Sequence, residues 1–280
     1  MTCVCLTFDF DALSVWLSTF KQTTPTPLSR GEYGARVGIF RILELLRSRE
    51  VPATFFVPAH TAASFPDTVR RIADEGHEIA LHGFVHETPV GLTRSQEADL
   101  LQRSMERLQA ILGQAANPAG YRSPAWDLGD STIELLEANG FLYDSSLMAD
   151  DFQPYRPRRN DQVDSDGFVP GPESRLIEFP VAWELDDYPY FHFAARPLNQ
   201  GLRSAAEVYG IWRDEFDYCH SEIGDGVFTL TTHPEIIGRG PRIRMLDQLI
   251  GHMQAKPGTR FSTLADEARR IADRLRPAGI

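Results

Sequence analysis

The 280-residue chain contains few cysteines, and this shortage excludes one class of small protein. Three cysteines, Cys3, Cys5 and Cys219, are too few for the disulfide framework of a small secreted domain. Cys3 and Cys5 lie two residues apart in an apolar segment, so a strand would place them on one face. Because no second C-x-C or C-x-x-C pair follows, we interpret them as buried thiols rather than metal ligands.

Positive charge is also in short supply. Asp and Glu number 39 against 28 Lys and Arg, which gives a formal net charge of −11. A protein that binds duplex nucleic acid usually carries a basic patch, and an acidic surface is repelled by anionic lipid. The short basic segments 156–159 and 239–244 are flanked by Pro or Gly, so we interpret them as solvated loops. We therefore expect no nucleic-acid partner and no binding to a membrane surface.

Long apolar runs are absent from the sequence as well. No apolar segment is long enough to cross a bilayer, and the N-terminus lacks a basic segment followed by an apolar stretch. We therefore expect a cytoplasmic protein with no membrane partner.

Strand-like and helix-like segments alternate along the chain, within an ordinary composition of 42% hydrophobic and 24% charged residues. This alternation predicts an α/β fold with a parallel sheet, either open or closed into a barrel, and one domain over residues 1–280. Segment 21–35 is predicted to be a long loop and segment 150–175 a surface excursion, because both are polar and contain prolines. The predicted strands cover 3–8, 53–57, 78–81, 141–143, 176–181 and 227–231, and the predicted helices 36–49, 65–75, 93–112, 130–139, 205–223, 242–254 and 264–275.

In parallel α/β folds the catalytic groups lie just after the strands, at their carboxyl ends. Asp9 and Asp11 follow the first strand and alternate with phenylalanines. One such aspartate could cap a helix or a turn. Two beside apolar neighbours are harder to explain in this way, since burial raises the cost of an unpaired charge.

His82 and His86 follow the third predicted strand and lie four residues apart, so both can face one ligand. One aspartate with two histidines is a plausible open catalytic metal set, although an isolated H-x3-H pair is often a surface accident. His77 is better interpreted as a residue of a structural turn.

Two further segments carry ionisable residues at strand ends. Arg122, followed by Pro124 and Trp126, could hold a carboxylate through its planar guanidinium, or could simply be exposed in a proline-containing loop. His233 ends a late strand and could donate a proton, or could be an ordinary core or surface histidine.

Taken in this order, the four segments resemble the polysaccharide deacetylase family, also called the NodB-homology or carbohydrate esterase 4 family. The segment from Gly76 to Gly83 is also similar to the one that leads into the family's histidines, and the matched positions reach from residue 7 to residue 234. The resemblance implies a distorted, incomplete (β/α) barrel and a divalent metal. It also implies hydrolysis of a non-peptide C–N bond.

The resemblance also implies a role for each matched residue. Asp11, His82 and His86 correspond to the metal ligands, and zinc suits this set best. Asp9 corresponds to the base, Arg122 to the residue that orients it, and His233 to the acid. The substrate-binding positions assigned with them are Pro124, Trp126 and Asp144, and Asp144 could also hold Arg122 or His233.

The sequence departs from the usual family pattern at the first segment. The family has adjacent aspartates followed by glycine, whereas here Phe10 separates the two aspartates and Ala12 replaces the glycine. This spacing, with segments 143–146 and 186–190, resembles a cytoplasmic branch that contains a peptidoglycan deacetylase homologue and metal-free allantoinases. The branch implies a homo-oligomer, possibly a tetramer. It leaves open an N-acetylated sugar or a small cyclic imide or ureide as substrate, and a non-catalytic binding module is a third alternative.

Overall fold

A computed structural model describes residues 1–113, 116–194 and 202–275 of the chain. Its strands are β1 (Thr2–Asp9), β2 (Thr54–Val57), β3 (Glu78–Leu81), β4 (Gly120–Tyr121), β5 (Tyr143–Asp144), β6 (Gln162–Asp164), β7 (Gly167–Val169), β8 (Ile177–Glu178), β9 (Val227–Thr232) and β10 (Thr259–Phe261). Its α-helices are α1 (Ser14–Ser18), α2 (Pro25–Tyr33), α3 (Ile39–Arg49), α4 (Ala59–Ser64), α5 (Pro66–Asp74), α6 (Arg94–Leu112), α7 (Thr132–Ala138), α8 (Tyr188–Phe191), α9 (Ala205–Glu222), α10 (Pro234–Ile237), α11 (Gly240–Gln254) and α12 (Leu264–Ile271).

Eight of the strands form one parallel sheet in which β1 is central. The hydrogen-bonded order is β10-β1-β2-β3-β4-β5-β8. Strand β9 also pairs with β1, over residues 3–8 of that strand. A single parallel bridge between Asp186 and Thr231 then brings the chain after β8 beside β9. The sheet therefore curls into the distorted, incomplete (β/α) barrel that we predicted, with helices packed outside.

The two-residue period of the strands decides which side chains face the interior of the barrel. In β1, Cys3 and Cys5 pack in one cluster with Phe56 and Ala80, while Val4 and Leu6 pack against the helices. Asp9 has the same parity as the two cysteines, His82 the same parity as Ala80, and His233 the same parity as Val227 in β9. The same alternation that buries the barrel core therefore turns these polar groups inward. The cysteines are buried free thiols, as predicted.

The prediction that residues 21–35 form a loop is wrong, because α2 occupies Pro25–Tyr33. Pro25 is the first helical residue, where the missing N–H leaves no hydrogen bond unmade and the fixed φ suits a helix. Gly31 lies so close to the carbonyl group of Ala12 that a Cβ atom would not fit. The prolines in this segment predict a loop, whereas Pro25 is the first residue of a helix.

Smaller differences concern the ends of elements. Helix α7 has Ser131 as its N-cap residue and begins two residues later than the predicted helix 130–139, and the short helix α4 is not among the predicted helices. The excursion 150–175 contains the exposed hairpin β6–β7. Thr93 and Gln96 form a capping box at the start of α6, which agrees with the predicted helix 93–112. Within the described part of the chain, no helix is long and apolar enough to cross a membrane.

Candidate active site

Six of the predicted site residues meet at one cavity at the carboxyl end of the barrel. The cavity has a volume of about 110 Å³ and lies where β1, β3 and β9 end. Parallel strands deliver the residues that follow them to the same edge, which explains why positions far apart in sequence converge. The residues that line the cavity are Asp9, Asp11, Val15, Thr19, Phe20, His82, His86, Ala125, Trp126, Trp183, Asp186, Tyr188 and His233.

Asp11, His82 and His86 form a compact buried triad. The Nε2 atom of His82 lies 3.5 Å from Asp11 Oδ1, and that of His86 lies 3.4 Å from Asp11 Oδ2. One ligand atom from each residue lies within 4.8 Å of the others. These three side chains could therefore coordinate one ion.

Hydrogen bonds behind the triad fix the direction of both imidazoles. His82 Nδ1 lies 2.8 Å from the carbonyl oxygen of Arg122, which can only accept, so Nδ1 carries the proton and Nε2 keeps its lone pair. His86 Nδ1 lies 2.8 Å from the hydroxyl of Thr19. Such outer partners are typical of histidines that bind metals.

The electrostatics of the triad suit a cation. Burial lowers the pKa of His82 to about 4 and that of His86 well below its ordinary value, so both rings are neutral at pH 7. Burial also raises the pKa of Asp11 well above its usual range. Asp11 Oδ1 and His82 Nε2 are buried without a hydrogen-bond partner among the described residues. A divalent metal would satisfy both orphaned atoms and balance the buried carboxylate, so the residues present fit such an ion.

Asp9 is paired with a fully buried arginine. The Nη1 atom of Arg122 donates to Asp9 Oδ1 at 2.7 Å and to the Thr7 hydroxyl at 2.9 Å. Burial raises the pKa of Asp9, but Arg122, His82 and His233 together outweigh it and hold that pKa below its ordinary value. Asp9 is therefore ionised at neutral pH, with Oδ2 facing the histidines.

His233 is held by an aspartate that we noted only as part of the family resemblance. Asp187 accepts a hydrogen bond from His233 Nδ1 at 2.7 Å and another from its backbone N–H at 3.0 Å. Burial lowers the pKa of His233, but Asp187 and Asp186 raise it to well above the ordinary value. The imidazole is therefore protonated at neutral pH, and its Nε2 lies 4.0 Å from Asp9 Oδ2 and 3.8 Å from Asp11 Oδ2.

Aromatic side chains form the walls of the cavity. The rings of Trp126 and Trp183 pack at an angle of 30° with centroids 4.4 Å apart, and Tyr188 and His233 pack edge to face at 4.7 Å. Trp183 is 47% exposed at the rim, although sequence reasoning did not select it. Trp183 begins a single 3-10 turn, which is too short for a periodic sequence pattern to predict.

The three residues assigned to substrate binding have different positions. Trp126 lines the cavity, whereas Pro124 and Asp144 are absent from the described residues that do. Asp144 is fully buried and accepts a hydrogen bond from Ser146, not from Arg122 or His233. Our interpretation of Asp144 as a direct partner of those two residues is therefore wrong. The neighbouring Ser145 occupies that place beside Arg122.

A parallel barrel with a metal-competent triad and an acid–base pair at its carboxyl end is typical of hydrolytic enzymes. Comparison with known proteins shows which family of hydrolytic enzymes the chain resembles. The polysaccharide deacetylase family model matches residues 30–143. A peptidoglycan deacetylase of Helicobacter pylori is 36% identical over 275 residues, which cover 92% of this chain and 93% of that protein.

Solved structures agree in fold. A crystal structure from Mycobacterium smegmatis, provisionally named a polysaccharide deacetylase, is 35% identical with a TM-score of 0.86 and covers 100% of this chain and 93% of its own. The allantoinase PuuE shares the fold at 22% identity, with a TM-score of 0.78 and coverage of 97% and 90%. The chain belongs to the polysaccharide deacetylase family. The prediction of a hydrolase that acts on C–N bonds other than peptide bonds is confirmed.

Proposed function

We propose that the protein is a metal-dependent N-deacetylase that acts on an N-acetylated sugar. The observation that carries the proposal is the meeting of the Asp11–His82–His86 triad with the Asp9–Arg122 and His233–Asp187 pairs at one cavity. A non-catalytic binding module would not need an ionised carboxylate and a protonated imidazole on opposite sides of such a triad.

Asp11, His82 and His86 would hold the metal, and zinc suits one carboxylate with two imidazoles best. A divalent ion held by these residues would polarise a carbonyl group and lower the pKa of water. The two orphaned ligand atoms and the two neutral imidazoles support this assignment.

Asp9 acts as the general base in this proposal. Its carboxylate is ionised because Arg122 lies against Oδ1, which leaves Oδ2 on the cavity side to take a proton from the attacking water. Arg122 is a positioning residue, because it contacts Asp9 and does not line the cavity.

His233 acts as the general acid. Its Nε2–H faces the carboxylates across the cavity, while Nδ1 is held by Asp187. When the C–N bond breaks, the amine nitrogen needs a proton to leave, and His233 is the protonated group in position to supply it. Asp187 and Asp186 keep that proton on the ring at neutral pH.

The substrate proposal rests on the relatives. The H. pylori protein that is 36% identical is named a peptidoglycan deacetylase, which supports an N-acetylated amino sugar here. The exposed ring of Trp183 beside Trp126 offers a flat apolar face of the kind on which a sugar ring can stack.

A small cyclic imide or ureide is the second candidate substrate. The observation that favours it is the size of the cavity, about 110 Å³, with Phe20, Trp126 and Tyr188 among its walls. A small ring would fill such a space, whereas an internal unit of a polymer would need the rim to open.

A substrate panel with a matched pair of variants tests the proposal. Purified zinc-loaded enzyme is assayed on chito-oligosaccharides, allantoin and a cyclic imide, with and without chelator. We expect acetate release from the chito-oligosaccharides only, and its loss with chelator. His82→Ala should lose both bound zinc and activity.

The matched control is His252→Ala, because His252 is half-buried, pairs with Asp217 at 2.8 Å and lies outside the cavity. This variant should keep both zinc and activity. If His82→Ala retains bound zinc and full activity, the assignment of the metal site is wrong. Turnover of the cyclic imide without acetate release would favour the second candidate. A single catalytic domain, a homo-oligomer and a cytoplasmic location stay predictions.

A further inference from the structure

Two acidic side chains lie buried behind the candidate active site, and the proposed reaction uses neither. Asp144 and Glu178 are both fully buried. They are paired Cα partners in the parallel strands β5 and β8, so their side chains share one face of the sheet. Burying two adjacent carboxylates without a counter-charge is costly, so a partner or a proton is required.

The bonds around this pair are complete except at two oxygens. Glu178 Oε1 accepts hydrogen bonds from the backbone N–H groups of Ser146 at 2.8 Å and Leu147 at 2.9 Å. Asp144 Oδ1 accepts from the Ser146 hydroxyl at 3.0 Å. The remaining atoms, Asp144 Oδ2 and Glu178 Oε2, have no N–H or hydroxyl donor among the described residues.

One proton shared between the two carboxyl groups satisfies both remaining oxygens. The two residues are direct cross-strand neighbours, and burial raises the pKa of Asp144 to about 6 and that of Glu178 well above its usual range. Two carboxyl groups that share a site retain one proton because both cannot ionise together. Such a pair would carry one negative charge and one internal hydrogen bond.

The segment held by this pair is also the segment that holds Arg122. Ser145 accepts from Arg122 Nε through its carbonyl oxygen and from Nη2 through its hydroxyl, both at 2.9 Å. Ser146, held by both acids, accepts the backbone N–H of Ser123 at 2.9 Å. Two of the four side-chain hydrogen bonds of Arg122 thus end on Ser145, and Ser146 holds the residue that follows Arg122. The other two come from Nη1, which donates to Thr7 and Asp9.

We propose that Asp144 and Glu178 are positioning residues that share one proton and, through Ser145 and Ser146, hold Arg122 against Asp9. The proposal rests on the function of Asp9 proposed above. It assigns a task to Asp144 other than the substrate contact that the sequence suggested.

A double-mutant cycle tests whether the pair acts through Arg122. Glu178→Gln keeps an acceptor for the two N–H groups and a donor for Asp144, so kcat should stay within about 3-fold of wild type. Glu178→Met keeps the shape but removes the acceptor. It should lower kcat about 100-fold with little change in KM, because the base is misaligned. In an Arg122→Lys background, which lacks the bonds to Ser145, the further loss should be below about 3-fold.

A second readout does not depend on activity. In ¹⁵N NMR the Arg122 Nε–H signal, assigned by its disappearance in Arg122→Lys, reports the bond to the Ser145 carbonyl. We expect slow solvent exchange in wild type and in Glu178→Gln, and exchange at least about 10-fold faster in Glu178→Met. Glu97→Met is the matched control, because Glu97 is a buried carboxyl group bonded to Thr132 and lies outside this network.

Two results would overturn the inference. The first is full additivity of Glu178→Met and Arg122→Lys in kcat, and the second is unchanged exchange of the Arg122 signal in Glu178→Met. If Glu178→Met does not fold, Ser146→Ala replaces it and should show the same pattern with a loss of about 10-fold. An inactive wild-type enzyme would instead refute the proposed function, and the NMR measurement would still decide this inference.

Discussion

The charge of His233 depends on neighbouring carboxylates, and Asp187 makes the largest contribution. The Nδ1 atom of His233 lies 2.7 Å from Asp187, whose carboxylate, with that of Asp186, raises the pKa of the imidazole well above the ordinary value. Because this pKa is higher in the folded chain than in the unfolded chain, the pair stabilises the fold fully below about pH 6.5. That stabilisation is lost as the pH rises through the folded-state pKa.

Replacing Asp187 should move the alkaline limb of the activity profile. In Asp187→Asn the pKa of His233 falls, so we expect the alkaline limb of the kcat–pH profile to move toward lower pH. The profile is measured on the zinc-loaded enzyme from pH 5 to pH 10. Asp217→Asn is the control, because it removes the carboxylate beside the half-buried His252, outside the cavity. A limb that stays in place or moves upward in Asp187→Asn contradicts the function proposed for His233.

The sequence predicts several residues of the site but not the side chains that hold them in place. The sequence predicted the ionisable residues that lie at or just after the carboxyl end of a strand, namely Asp9, Asp11, His82, His86 and His233. The partners of these residues could not be selected in this way. Whether Arg122 meets Ser145 or Asp144 depends on side-chain directions in neighbouring strands, which the order of residues does not specify.

At the scale of secondary-structure elements, the position of α10 depends on a close contact between the backbones of Gly38 and Pro234. The π-helical turn Gly34–Gly38 precedes α3, and a Cβ atom on Gly38 would overlap the carbonyl oxygen of Pro234. Pro234 begins α10 directly after His233. The absence of a side chain at Gly38 therefore helps to position the proposed acid.

A methyl group at Gly38 should disturb this contact between the two backbones. We expect Gly38→Ala to reduce the free energy of unfolding by about 1–3 kcal/mol and kcat by about 10- to 100-fold, because α10 and His233 must shift. Chemical denaturation and kinetic assays measure the two effects. Gly210→Ala in α9 is the control, since nothing lies within 4 Å of a Cβ atom there. It should raise stability by about 0.5–1 kcal/mol. Equal behaviour of the two variants would refute the argument.

Helices were predicted well where periodicity and caps agreed, as in α6 with its capping box. Helix α2 was missed because it contains two prolines and a glycine, which read as loop residues. Pro27 and Gly31 are buried, so packing against the chain after β1 stabilises a helix that local propensity disfavours.

Across the whole molecule, the proposed metal would join strands that are distant in sequence. Asp11 follows β1, while His82 and His86 follow β3, so an ion bound by all three links two parts of the barrel that assemble only on folding. A ligand that binds only the folded state raises the free energy of unfolding, and the increase grows with the logarithm of the ligand concentration relative to its Kd.

Removing the metal should therefore lower Tm. At zinc concentrations about 1,000 times the Kd, binding stabilises by about 4 kcal/mol, so we expect chelator to lower Tm by roughly 10 °C. Differential scanning calorimetry with and without zinc measures the shift. His252→Ala should show the same shift as wild type, and His82→Ala none. A Tm that does not respond to zinc in wild type would contradict the metal site.

The sequence by itself determined the chemistry of the site and the end of the barrel at which it lies. The alternation in β1 faces Asp9 inward with Cys3 and Cys5, and parallel strands carry their following residues to one edge. Only the tertiary structure decided that Asp187 holds His233 and that Asp144 pairs with Glu178. Local patterns fix the face and the end of each strand, but contacts between side chains 30 or more residues apart depend on strand register and on how the sheet curls.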